Sequence, residues 1–126
     1  MSAKSIKDRL KEGITLFNRK EFYEAHEVFE ELWQEADSEE MQEEFLFLVR
    51  LGAAGVHLVN QNFSGLFLFQ LAEKQLSGGL KLNFLNNSLD FLGSLRGLIA
   101  RLSQAEREKL TQIALENCFE LVAAEA

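Results

Sequence analysis

The chain has no proline, one cysteine, one tryptophan and one tyrosine, and between Glu21 and Val49 it has no lysine or arginine. Each shortage excludes something. Without a second cysteine, Cys118 closes no internal disulfide, and a lone thiol fits a reducing compartment; on a late helix it reads as a small apolar residue. No apolar run reaches the ~20 residues that span a bilayer. The longest, Phe45 to Val59, is broken by Arg50 and His57. The N-terminus MSAKSIKDRLKEG is charged and lacks the apolar stretch of a secretory signal. A soluble, cytoplasmic protein with no membrane partner is expected.

The missing basic residues leave eleven acidic ones unbalanced between Glu21 and Glu44, in an acidic protein of formal charge -7. Such a surface repels phosphate, so no nucleic-acid partner is expected. It reads either as two solvated helix faces or as a docking surface for a basic partner.

What the chain does have is helical spacing nearly throughout, and no convincing alternation of period two. Its 126 residues, 47% of them hydrophobic, suit a single all-helical domain over 1-126. Ser5, with Asp8 three residues on, opens a first helix bearing Ile6, Leu10, Ile14 and Phe17 on one face. Asn18 to Lys20 is a turn. A second helix from Glu21 to Ala36 gathers Phe22, Ala25, Val28, Phe29, Leu32, Trp33 and Ala36 on one arc at about 100° per residue.

Asp37 or Ser38 caps a third helix, with Glu39, Glu40, Glu43 and Glu44 near its positive end. From Phe45 it is apolar on nearly all sides, which predicts the central, most buried position. Gly52, Ala53, Ala54 and Gly55 leave room there for a neighbouring helix to approach closely. Asn60 to Asn62 turns into a fourth helix, Phe63 to Leu76, with most of its circumference requiring burial, and Gly78-Gly79 stops it. A fifth helix is predicted from Ser88 to Leu102. Ser103 with Glu106 reads as a capping box opening a sixth that ends near Val122. The fold class is all-α: a compact bundle of five to six antiparallel helices, built from two helical hairpins plus C-terminal helices. The segments LFNRKEFYEA and LVNQNFSGLF hint at a hairpin repeated after about forty residues.

Function turns on Leu16 to Trp33. Phe17, Asn18, Phe22, Tyr23, Glu24, Ala25, His26, Glu27, Phe29, Glu30 and Trp33 stand in a pattern that resembles the signature of the family called domain of unknown function 309. The likeness continues more faintly through the third helix, the Asn62 turn and Leu89-Asp90. It departs where Arg19-Lys20 replaces a frequent Gly after the turn Asn, and where Arg50 falls near a usual Gln. The resemblance implies a compact helical domain and no established activity.

His26 and Glu30 are neighbours on a helix, and a carboxylate beside imidazole fixes its tautomer, as a general base requires. Glu27 flanks the pair, Trp33 lies two turns on, and Arg50 and His57 approach if the third helix packs there. Such a cluster is either a structural polar network or a reactive site. His26, Glu30 and His57 are also metal-ligand types, but neither the HExxH spacing nor a repeated Glu-x-x-His occurs. No cofactor is expected, a divalent metal being left open. Two function classes follow. One is a protein-interaction or self-association module, with a homodimer or a protein or peptide as partner. The alternative is a small-ligand protein or enzyme, a metal-assisted hydrolase included, using His26 and Glu30 in a pocket beside Trp33.

Overall fold

A computed structural model describes residues 5–86 and 89–124. Among them the fold is all-helical: α1 (Ile6–Asn18), α2 (Phe22–Glu35), α3 (Glu39–Val59), α4 (Ser64–Ser77), α5 (Leu89–Ser103) and α6 (Leu110–Asn117), the last preceded by a 3-10 turn over Arg107–Lys109. No helix among the described residues is long and apolar enough to cross a membrane.

The starts of α1 and α3 follow from their caps. Ser5 Oγ accepts from the Asp8 amide at 3.1 Å, and Ser38 Oγ accepts from the Met41 amide at 3.2 Å, each satisfying a donor that the first helical turn leaves open. Both hairpin turns have one geometry. The Glu21 amide donates to the Leu16 carbonyl at 2.9 Å and the Asn62 amide to the His57 carbonyl at 2.9 Å. Within those turns Lys20 (φ 65°) and Gln61 (φ 58°) are left-handed. The faint repeat in sequence is thus a repeated way of turning the chain, with Phe22 and Phe63 entering the next helix at matching places. A left-handed residue is normally glycine, so each side chain here costs about 1 kcal/mol.

α3 is central, packing against α2, α4 and α6. The α2 contact is close because glycine permits it: a Cβ on Gly52 would lie 3.1 Å from the His26 α-carbon, and one on Gly55 would enter the Phe22 ring. Phe17, Phe29, Phe45, Phe47, Phe69, Leu48, Leu51 and Leu58 fill the core with no exposure. Of the eleven phenylalanines, Phe67 on α4 alone is exposed, at 59%. α4 therefore buries less of itself than its composition predicted, only Gly65, Phe69 and Ala72 being buried on it.

The C-terminal end differs from expectation. Ser103 opens no helix. It ends α5, and its hydroxyl donates to the Ile99 carbonyl one turn back at 2.8 Å. α6 begins seven residues later, without a side-chain cap, and stops at Asn117 rather than near Val122. The predicted start of the fifth helix, Ser88, lies outside the described residues.

From Cys118 to Ala124 the chain runs as an extended tail. Leu85 and Ala123 form an isolated antiparallel bridge; the Asn86 amide donates to the Val122 carbonyl at 2.8 Å and the Ala124 amide to the Phe84 carbonyl at 2.9 Å. Phe119 on this tail packs against three rings: Phe17 at 5.9 Å, Phe69 at 6.0 Å and Phe91 at 5.2 Å between centroids. A short extended segment thereby closes the bottom of the core, where a longer sixth helix was predicted.

Candidate functional site

The motif residues divide by position on α1 and α2. Phe17, Phe22, Ala25 and Phe29 are buried and hold α2 between α1 and α3. Asn18, the last residue of α1, closes on the tail: its Nδ2 donates to the Leu121 carbonyl at 2.9 Å, and its Oδ1 accepts from the Leu121 amide at 2.8 Å. Lys20 Nζ donates to the Cys118 carbonyl at 3.2 Å. The first-hairpin turn is thus the anchor of a segment about a hundred residues away, which no spacing in the sequence reveals.

Asn18→Ala removes both bonds to Leu121, and the expected cost is about 2 kcal/mol. Exchange of the Leu121 amide, followed by hydrogen–deuterium exchange, should speed up by at least about tenfold while amides in the middle of α3 keep their protection.

His26 and Glu30 do pair, with Nε2 to Oε2 at 3.3 Å. The backbone of His26 is pressed against Gly52, and its side chain turns outward at 24% exposure beside Glu30 at 43%. One turn earlier the Glu27 carboxylate accepts a hydrogen bond from the exposed Tyr23 hydroxyl; that bond, then the Glu27 charge, push the phenol pKa up. Trp33 is half-buried against the core.

Arg50 and His57 do not join this group. Gly52 is the α3 residue facing His26, and at about 100° per residue Arg50 and His57 lie far round the helix from it. Neither side chain makes an ion pair or hydrogen bond with a described residue. Among the described residues no three His, Cys, Asp or Glu side chains are grouped to hold a metal ion. Cys118, which has no cation near it in sequence, has the Lys20 charge near it in space. Burial nevertheless pushes its thiol up to about 12, so at neutral pH it is protonated and a poor nucleophile.

A cleft of about 220 Å³ opens between α2 and α3, lined by Lys20, Glu21, Phe22, Tyr23, Glu24, Val56, Val59 and Asn60. Tyr23 is 61% exposed and Val59 37% exposed. Three motif residues, Phe22, Tyr23 and Glu24, therefore form one wall, and the C-terminal end of α3 forms the other. Reasoning from sequence missed Val56 and Val59, because they reach the motif only through the antiparallel packing of α2 on α3.

Residues 10–67 match the family model described as Domain of unknown function (DUF309). The match runs from α1 into the start of α4, so the hairpin turn, the His26–Glu30 pair and both walls of the cleft fall within the DUF309 resemblance. The tail held by Asn18 falls outside it. No curated protein and no solved structure matches the chain.

Proposed function

We propose that the chain is a protein-interaction module that docks a basic segment of a partner protein in the cleft between α2 and α3. The observation that carries this reading is the pairing of an exposed aromatic, Tyr23, with exposed Val59 over a cleft lined by two carboxylates, Glu21 and Glu24, against one ammonium, Lys20. Lys20 lines the cleft but its ammonium is engaged by the Cys118 carbonyl. Glu21 and Glu24 remain to face an incoming lysine or arginine, whose stem packs on the ring and whose charge lies over it. An enzyme reading is less well supported. His26 and Glu30 stand outside this cleft, both partly exposed.

The test is fluorescence anisotropy with a panel of lysine- and arginine-rich labelled peptides carrying one apolar anchor. Binding is expected in the micromolar range, weakening with salt, and at least about tenfold weaker in Tyr23→Ala and in Glu24→Lys. Both positions are exposed, so the melting midpoint should stay put. Peptides that bind equally well to both variants, or basic peptides that bind no better than acidic ones, would overturn the reading.

A further inference from the structure

α3 is covered on three sides. α2 lies over Gly52 and Gly55, and α4 lies over Ala54 and Leu58, which Gly65 meets. On the third side Thr111 of α6 donates to the Val59 carbonyl at 2.9 Å, and the amides of 83–85 close on Glu44. Counting about 100° per residue from Gly52 places Leu46, Arg50, Ala53 and His57 together on the fourth side. Their spacing of four, three and four is that of a helix–helix seam. All four are half-buried, yet Leu46 and Ala53 do not pack on the core. Arg50 makes no ion pair or hydrogen bond with a described residue, although the chain carries a net charge of -7. The half-buried Arg50 thus offers an unpaired cation on a largely apolar seam, where a carboxylate from another chain can meet it.

We propose that this side of α3 is the contact face for a second copy of the chain, the two copies meeting about a two-fold axis that runs along α3. Charge on the face selects both the occupant and the axis. The line through Glu43, Arg50 and His57 borders α4, because Gln75 Nε2 of α4 donates to the Glu43 carbonyl at 3.2 Å. The opposite border belongs to α2. There His26 lies over Gly52 and Phe22 over Gly55, so Glu30, one turn further along α2, sits level with Leu48 and about 3 Å along the axis from Arg50.

A two-fold along α3 lays α2 of each copy over the α4 border of the other. It sets Glu30 against Arg50 of the second copy, twice, as an isologous contact requires. A two-fold perpendicular to α3 would instead set Glu27 and Glu30 against themselves, which like charges oppose. Ala53 at the middle of the seam lets the two helices approach. The contact borders the Tyr23 cleft, Tyr23 lying two turns before Glu30 on the same flank of α2, but its argument does not use the cleft.

The experiment is sedimentation equilibrium of the full chain across micromolar concentrations, with far-UV circular dichroism and thermal melting as controls on folding. The natural protein should dimerise reversibly. Arg50→Glu and Glu30→Arg should each raise the dimer dissociation constant by on the order of a hundredfold, and the double variant should return to within about threefold of the natural protein. A chain that stays monomeric throughout overturns the proposal. So does a dimer indifferent to either single change, and so do single losses that the double variant fails to restore.

Discussion

Glu44→Ala should lower the stability of the fold by about 4 kcal/mol and its melting midpoint by roughly 15 °C. Glu44 is the one charged residue among the described residues with no exposure at all. Its Oε1 accepts from the Asn83 amide at 2.8 Å, and its Oε2 accepts from Phe84 at 2.8 Å and Leu85 at 3.2 Å. Residues 83–85 form no helix, so without the carboxylate two or three main-chain donors lose their partner inside the protein and a cavity opens beside them. Glu44→Gln should cost less, about 2 kcal/mol: its amide oxygen can still serve Phe84 and Leu85, while its NH₂ opposes the Asn83 N–H. Differential scanning calorimetry of the two variants orders these costs; equal midpoints would remove the hydrogen bonds as the cause.

The same residue sets a pH dependence. Burial raises the Glu44 pKa above the usual carboxylate value, and the three amide bonds only partly oppose that. A carboxyl whose pKa is higher folded than unfolded binds its proton more tightly in the folded state. Its stabilisation is complete below the unfolded value, roughly 4.3, and is lost as pH rises through the folded one. The natural protein should therefore lose stability relative to Glu44→Gln as pH rises from about 4 through the weakly acidic range. A difference constant over that range would mean Glu44 titrates alike in both states.

Glu44 also shows where the sequence could be read and where it was misread. It lies in line with Leu48, Leu51, Gly55 and Leu58 on the inner side of α3, all of them buried. Taken as one more acid at a helix start, it passed for solvated; taken with that spacing, it is a carboxylate in the core that must find donors. The local devices were plain: Ser5 and Ser38 cap as their positions demand, and the α2 arc is the buried face. The Ser103–Glu106 pattern had the right letters, but the Ser103 hydroxyl is satisfied by its own helix at Ile99. Long-range closure left no periodic trace. Asn18 reaching Leu121, and Glu44 reaching 83–85, join segments that only the packed helices bring together. The His26–Glu30 pair was legible because it lies within one helix. The separation of Arg50 and His57 from it was not, since that depends on which side of α3 meets α2.

Gly55 provides the test of that meeting. A Cβ at this position would enter the ring of Phe22, a motif residue only 3% exposed and wedged edge-to-face against Phe17 at 5.2 Å. Neither aromatic can yield without moving α1 or α2, because both lie in the close-packed core. Gly55→Ala gains helix propensity of about 1 kcal/mol, but overpacking should outweigh it, for a net loss of about 2–3 kcal/mol. Phe22→Leu vacates the space the methyl needs and alone costs about 1–2 kcal/mol. In the double variant the two losses should not add, and chemical denaturation should give a coupling of at least about 1 kcal/mol. Additive losses would mean that α2 and α3 are not held at the distance Gly55 sets. The Tyr23 cleft would be affected too, since Phe22 and Val56 line it from opposite helices. A Gly55→Ala protein that remains folded should accordingly bind basic peptides more weakly, although neither Tyr23 nor Glu24 has been touched.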